Sequence, residues 1–349
     1  MKFIIYILSI VIIFSFCNSN NHVEHIERAF YFWKSDDLDD DLMNNIKKLK
    51  VTKLYCKLFE VDYSEAYGNY PFCKNRLYSD NYSDFDTIKI IPTVFIKNTI
   101  FQYSDFESLK LLADNIAYLV EKYSFEDSYD ENKEIIFSYD EIHIDCDWTK
   151  SSKEKYFFLL GKLKECSKKK ISCTLRLYPY KHHDVMGIPP VDKVTLMCYN
   201  LIKPLKEQNK NSILDIVELK KYLNERKSYP LHLDIALPTF YWTQHYQNNH
   251  FIQLVELSTK YVRGFAKQVQ PLWYQIEKDT SINEKVYLKV GDQLKCEDVA
   301  TESIYEAINI IKKYVKLNKN TTIILFDLDQ STFNQYSNEE ITNFYNNFY

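Results

Sequence analysis

Residues 141–149 read Glu141-Ile142-His143-Ile144-Asp145-Cys146-Asp147-Trp148-Thr149. Along an extended chain, successive side chains point to opposite faces. One face of this run is therefore Ile142, Ile144 and Cys146; the other is His143, Asp145 and Asp147. A closed barrel of parallel strands accommodates such a strand. Its outer face receives helices and must be apolar, so the charged face turns to the axis. The same division recurs at 173–178, where Cys173, Leu175 and Leu177 oppose Thr174, Arg176 and Tyr178. At 231–238, Leu231, Leu233, Ile235 and Leu237 oppose His232, Asp234, Ala236 and Pro238. At 324–329, Ile324, Phe326 and Leu328 oppose Leu325, Asp327 and Asp329, which places the two aspartates on the axial side.

Working outward, strand-like stretches at 28–33, 51–61, 88–96, 141–147, 171–178, 193–199, 231–237 and 321–327 alternate with helix-like ones. The helical stretches are 38–49, 106–123, 151–168, 213–226, 249–261 and 301–315, with Asp36 and Asp37 as caps for the first and a capping-box pattern at 151–154. Residues 263–297 break the rhythm and read as β-rich. The expected fold is α/β: a single (β/α)8 TIM-type barrel over 27–349, with a small β-rich insertion at about 263–297 before the last helix and strand.

Composition removes several function classes. The formal net charge of −4 offers no basic surplus for nucleic acid. The 5 glycines are scattered and form no phosphate-cradling loop, which excludes classical dinucleotide folds and P-loop enzymes. No cofactor is expected. The cysteines contain no CxxC pair, and His182-His183-Asp184 lacks a third ligand, so no metal site is expected. Cys56, Cys146, Cys173 and Cys198 lie in apolar strand-like runs and read as small buried hydrophobes.

The N-terminus reads as a targeting segment. Met1-Lys2 precedes an apolar run over 3–16 that is too short to span a bilayer. Cys17 and a polar Asn18-Ser19-Asn20-Asn21 follow. The arrangement resembles a bacterial lipoprotein signal, which implies lipidation of Cys17, a tether over 18–26, export, and a membrane anchor at the cell envelope. Phe14 and Phe16 depart from the usual signal, and plain secretion with cleavage nearby is the alternative.

The axial faces carry the candidate site. His143, Asp145, Arg176, Asp234 and Lys57 would share the barrel interior, with Asp145–Arg176 and Asp234–Lys57 as pairs, because an unpaired buried charge costs several kcal/mol or more. A structural ion network is the competing reading of the deeper groups. Asp147, Tyr178, Tyr199 and Asp327 fall at the carboxyl ends of strands, where barrel active sites are built. Trp33, Trp148 and Trp242 map to the same rim and would offer flat faces to sugar rings, or else plug the barrel top. Asp147 is the first candidate for acid or base catalysis. Asp327 or Asp329 would be its partner, and Glu60 and Asp62 stand in reserve. Trp33, Lys57, Asp145, Trp148, Arg176, Tyr178, Tyr199, Asp234 and Trp242 are candidate substrate-binding residues.

Ile142–Thr149 is similar to the fourth-strand signature of glycosidase-type barrels. The chitinase-like form reads Asp-x-Asp-x-Glu with the Glu as general acid; aligned on Asp145 and Asp147, that position is Thr149. The chain more closely resembles bacterial lipoproteins of unknown function with a glycoside-hydrolase-like barrel. The shared pattern runs through Arg28–Lys34, Leu54–Asp62, Ile91–Phe95, Ile142–Thr149, Pro190–Asn200 and Asp234–Pro238. The resemblance implies a carbohydrate partner, bound either by a hydrolase or by a non-catalytic envelope lipoprotein. The seventh strand ends in Pro238-Thr239-Phe240 without a carboxylate, which speaks against a standard retaining hydrolase.

Overall fold

The computed structural model describes residues 23–34, 38–75, 77, 87–125, 135–225, 228–282 and 286–349. The signal run, Cys17, residues 18–22 of the tether, and the proposed caps Asp36 and Asp37 lie outside the described residues.

The barrel strands are β1 (His25–Phe32), β2 (Lys53–Ser64), β3 (Lys89–Ile96), β4 (Glu141–Asp145), β5 (Lys170–Arg176), β6 (Lys193–Met197), β7 (His232–Pro238) and β8 (Asn320–Phe326). Each pairs in parallel with its sequence neighbour, and β8 pairs back onto β1, so the sheet closes. The fold is the expected (β/α)8 barrel. Its outer helices are built from local signals. Asp39 accepts from Leu42 N–H to start Asp40–Lys48, and Asp105 accepts from Ser108 N–H to start Phe106–Tyr123. The latter buries Leu109, Leu112, Ala113, Ile116 and Val120, a helical stripe facing the strands. The last helix, Asn338–Asn346, opens with a full capping box between Ser337 and Glu340. The capping box expected at 151–154 does not form; Ser152 caps Lys153–Ser167 without a side-chain bond to its first turn, and its hydroxyl goes to Asn98 instead.

Three departures shape the site. First, 249–261 is not the helix that follows β7. Trp242–Gln247 and His250–Val255 are antiparallel strands of a five-stranded sheet, completed by Ala266–Gln270, Trp273–Ile276 and Gln293–Glu297. Only Thr259–Val262 is helical there. The excursion has its own core of Val255, Leu257, Val262, Tyr274, Ile276 and Leu294. Second, β2 carries a register shift between Lys57 and Phe59. The extra residue lets Lys57 and Glu60, three apart, face the same side. Third, strand β8 has the opposite facing from that read in the sequence. Thr322 bonds into the axial network and Phe326 lines the mouth, so Asp327 and Asp329 lie beyond the strand's end and off the axis.

Candidate functional site

The lower barrel is crossed by a network of paired charges, whose outer members Glu141, Lys193 and His232 line a cavity of about 300 Å³ at the amino ends of the strands. The Lys193 ammonium sits 2.9 Å from Asp234, 3.1 Å from Glu141 and 3.0 Å from the Tyr55 hydroxyl. Asp234 is fully buried, and it also accepts from Thr322 N–H at 2.8 Å and meets His232 at 3.2 Å. The anticipated Asp234–Lys57 pair does not exist, because the two residues lie at different heights of the barrel. Burial opposes the Asp234 charge, but Lys193 and His232 outweigh it and hold the carboxyl well below its usual range.

Above this layer the hydrogen bonds fix a tautomer. Ser172 donates to Glu141 at 2.6 Å, so its oxygen can only accept from His143 Nδ1–H at 2.8 Å. Nε2 then carries the lone pair that accepts from Tyr31 at 2.9 Å. Burial first, and the nearby Lys193 second, push His143 down to about 3, so the ring stays neutral.

The mouth lies at the carboxyl ends of the strands. It is a cavity of about 360 Å³ lined by Trp33, Glu60, Phe95, Asp145, Asp147, Arg176, Met197, Tyr199, Asn200 and Phe326. It continues through Asp147, Arg176 and Asn200 into a groove of about 650 Å³ that Trp242, Tyr222 and the 201–210 loop complete. Arg176 meets Asp147 at 3.4 Å and donates to the Asn200 carbonyl at 3.0 Å. The direct partner of Asp145 is therefore not Arg176 but Thr174, which donates to it at 2.6 Å. Burial pushes Asp145 up to about 6, with the Asp147 charge adding to the rise. Glu60 is held by Lys57 at 2.6 Å, and that ammonium also lies 5.3 Å from the centre of the Trp33 ring.

An aromatic row crosses the mouth. Ring centres run from Trp33 to Phe326 at 5.6 Å, Phe326 to Phe240 at 5.4 Å, and Phe240 to Trp242 at 5.3 Å, with Tyr199 beside Phe326 at 5.5 Å. Phe326 and Phe95 were missed in the sequence. Alternation puts Phe326 on the outer face when β8 is read with its aspartates inward, and Phe95 lies in a run, 88–96, that is largely apolar on both faces.

The other candidates divide. Trp148 is no platform: it is 4% exposed and packs on Tyr156 and Phe157 of the next helix. It lies past the end of β4, where Trp148 N–H bonds the Cys146 carbonyl at 2.9 Å, and this turn leaves Asp147 at the mouth and the indole under the helix. Tyr178 lies in the helical turn Leu177–Lys181, exposed, with its ring tilted against His182 at 4.6 Å between centres, at the side of the groove. Neither Asp327 nor Asp329 lines the mouth or the groove. Asp329 caps Gln330–Gln335 and pairs with Lys34. Burial, reinforced by Asp329, pushes Asp327 up to about 7. Asp62 is paired with Lys97 at 2.6 Å on the hairpin that extends β2. Thr149 closes a turn with Ser151 and Ser152, so strand β4 delivers no carboxylate beyond Asp147. Among the described residues no group of His, Cys, Asp and Glu is placed to hold a metal ion.

No protein-family model and no curated protein matches the chain. Solved structures do. The spore cortex-lytic enzyme SleL of Bacillus megaterium QM B1551 superposes with a TM-score of 0.54 at 12% identity, over 93% of this chain and 75% of that one. A chitinase from Chromobacterium violaceum ATCC 12472 superposes with a TM-score of 0.51 at 7% identity, over 88% of this chain and 97% of that one. These likenesses establish the class of fold: a (β/α)8 barrel of the kind found in glycoside hydrolases.

Proposed function

We propose that this protein binds carbohydrate at the barrel mouth and its groove, as a receptor and not as a hydrolase. The observation that carries this reading is that a row of aromatic faces crosses a polar cleft whose carboxylates are engaged one by one. Lys57 holds Glu60, Arg176 faces Asp147, and Thr174 donates to Asp145, while Thr149 stands where a chitinase-type acid would be. Flat rings bind the C–H faces of sugars at small entropic cost, and the ionised groups and Asn200 supply hydrogen bonds to hydroxyls. The names of the neighbouring barrels, a chitinase and a cortex-lytic enzyme, support glycans of the chitin or cortex type as ligands. Titration calorimetry with chitotetraose and soluble cortex fragments tests it. Binding without release of shorter products is expected; no binding to either glycan overturns the proposal.

One observation favours a hydrolase. Asp145, pushed up to about 6, is a proton donor within the same cleft as Asp147. On that reading wild type releases products and Asp147→Asn does not, with its thermal midpoint within a few degrees of wild type. An absence of product from wild type removes it.

We also propose that the chain is exported and anchored in a membrane of the cell envelope through lipidated Cys17, carried by its signal-like residues 1–17. Cys17→Ser should move the protein from the membrane fraction to the soluble one. Retention in the membrane would exclude the anchor.

A further inference from the structure

The wall of the groove that faces away from the barrel axis is built on one buried carboxylate. Glu297 ends the strand Gln293–Glu297 of the excursion and has no exposed surface. Its Oε1 receives Lys295 Nζ at 2.7 Å and Ser212 N–H at 2.9 Å. Its Oε2 receives Ser212 Oγ at 2.6 Å, Trp242 Nε1 at 2.5 Å and Gln244 Nε2 at 3.0 Å. Five donors converge on two oxygens, which leaves the carboxylate one orientation and the Trp242 ring one anchor. Burial opposes this charge, but hydrogen bonds from Lys295, Ser212 and Trp242 outweigh it, so the carboxyl is held below its ordinary range and stays ionised.

Lys295 is equally buried, and its remaining protons go to the carbonyls of Glu207 at 2.7 Å and Lys210 at 2.8 Å. Trp273 adds a bond to the Gln208 carbonyl at 2.8 Å. The loop that lines the groove is thus bolted to the excursion at Glu207, Gln208, Lys210 and Ser212. The ion pair is costly to bury and would be a poor choice for stability alone. Both its members, however, reach across to groups that shape the groove.

We infer that Glu297 is a positioning residue: it holds the Trp242 ring as the ligand platform of the groove and, with Lys295, holds the facing loop at a fixed distance from it. The inference rests on the carbohydrate-binding reading and deepens it. Glycan affinity depends on an excursion residue that touches no ligand, through the orientation of one indole. A site held in its bound shape avoids the ordering cost that a loose loop and a free ring would add.

Three variants test this on the full chain, with chitotetraose as the probe. Trp242→Phe keeps a ring and leaves the Lys295–Glu297 pair intact but removes the anchoring N–H. Glu297→Gln replaces one acceptor oxygen by a donor. Trp242→Ala removes the platform. We expect Trp242→Ala to weaken binding at least about tenfold and the other two about threefold to tenfold. The spectroscopic readout is the indole N–H resonance of Trp242, identified by its loss in Trp242→Phe. It should lie downfield in wild type, as for a donor to a carboxylate, and move upfield in Glu297→Gln. Wild-type affinity in both Trp242→Phe and Glu297→Gln, or an unmoved indole resonance in Glu297→Gln, overturns the inference and leaves the carbohydrate reading standing. A wild-type chain that binds no glycan overturns both. If Glu297→Gln does not fold, Trp242→Phe alone decides: unchanged affinity overturns the inference, and a loss supports it.

Discussion

The two ends of the barrel axis use the same kinds of residue for opposite ends. At the amino end, Lys193, Glu141, Asp234, His232 and Tyr55 form a mutually paired set, with Asp234 fully buried, Lys193 shared between two carboxylates, and His232 at its edge, 35% exposed. At the carboxyl end, Asp147 is exposed over 60% of its side chain, Arg176 over 32%, and their separation is 3.4 Å. A charge network without solvent must be complete, because each missing partner strands a buried ion. A network open to solvent can be incomplete, and its spare donors and acceptors are then available to a ligand. Charge on a barrel axis therefore does not by itself mark a site; donors and acceptors left spare at the carboxyl ends of the strands do.

The sharpest way to break this contrast is Lys193→Met. It leaves Asp234 and Glu141 without their cation, and we expect a loss of about 3–5 kcal/mol of stability by urea unfolding. A loss under about 1 kcal/mol would mean that Lys193 does not hold the two carboxylates in the way described.

The next effect is pH-dependent. Asp327 is raised to about 7 in the folded chain and Asp145 to about 6, against an unfolded value near 4. The native state keeps these protons longer than the unfolded state does. Stability from these groups is therefore lost as pH rises from about 4 to about 7. Asp327→Asn, which cannot ionise, should gain up to roughly 4 kcal/mol over wild type at pH 8 and nothing at pH 4. Equal differences at the two pH values would show that Asp327 is not held protonated by its burial.

The smallest effect sharpens the mouth. Arg176→Ala removes a partly exposed cation, so its cost to stability should stay within about 1 kcal/mol. Chitotetraose affinity should nevertheless fall about tenfold, since the guanidinium bridges Asp147 and the Asn200 carbonyl between mouth and groove. Unchanged affinity would place the ligand elsewhere on the rim.

Much of this was legible beforehand where the signal was local. The facing of β4, β5 and β7 was readable because alternation is a property of a single strand, and the helix Phe106–Tyr123 was read with its true ends from its stripe and flanks. Asp145 and Arg176, legible from axial faces, and Asp147, Tyr199, Trp33 and Glu60, legible from strand ends, meet in one cavity. What failed was non-local. The partners of Asp234 and Lys57 depend on the height each strand occupies in the closed barrel. Trp148 reads as a rim platform because it ends the fourth strand-like run, yet β4 stops at Asp145 and the turn that follows carries the indole under the next helix. The run at 249–261 carries enough helix-like spacing to mislead, and the antiparallel partner at Trp242–Gln247 overrides it.

Taken alone, the order of residues settled the class of fold, since an apolar outer face and a polar inner one, repeated along alternating elements, can be buried only by closing the sheet inside a shell of helices. It also pointed to the ends of the fourth and fifth strands, whose Asp145, Asp147 and Arg176 line the mouth. Tertiary structure alone decided the pairings: the shift in β2 that turns Glu60 toward Lys57, the placement of Asp327 off the axis, and the convergence of Trp242, Ser212 and Lys295 on Glu297. Such choices depend on distances between segments far apart in the chain, and a periodicity within one segment carries no information about them.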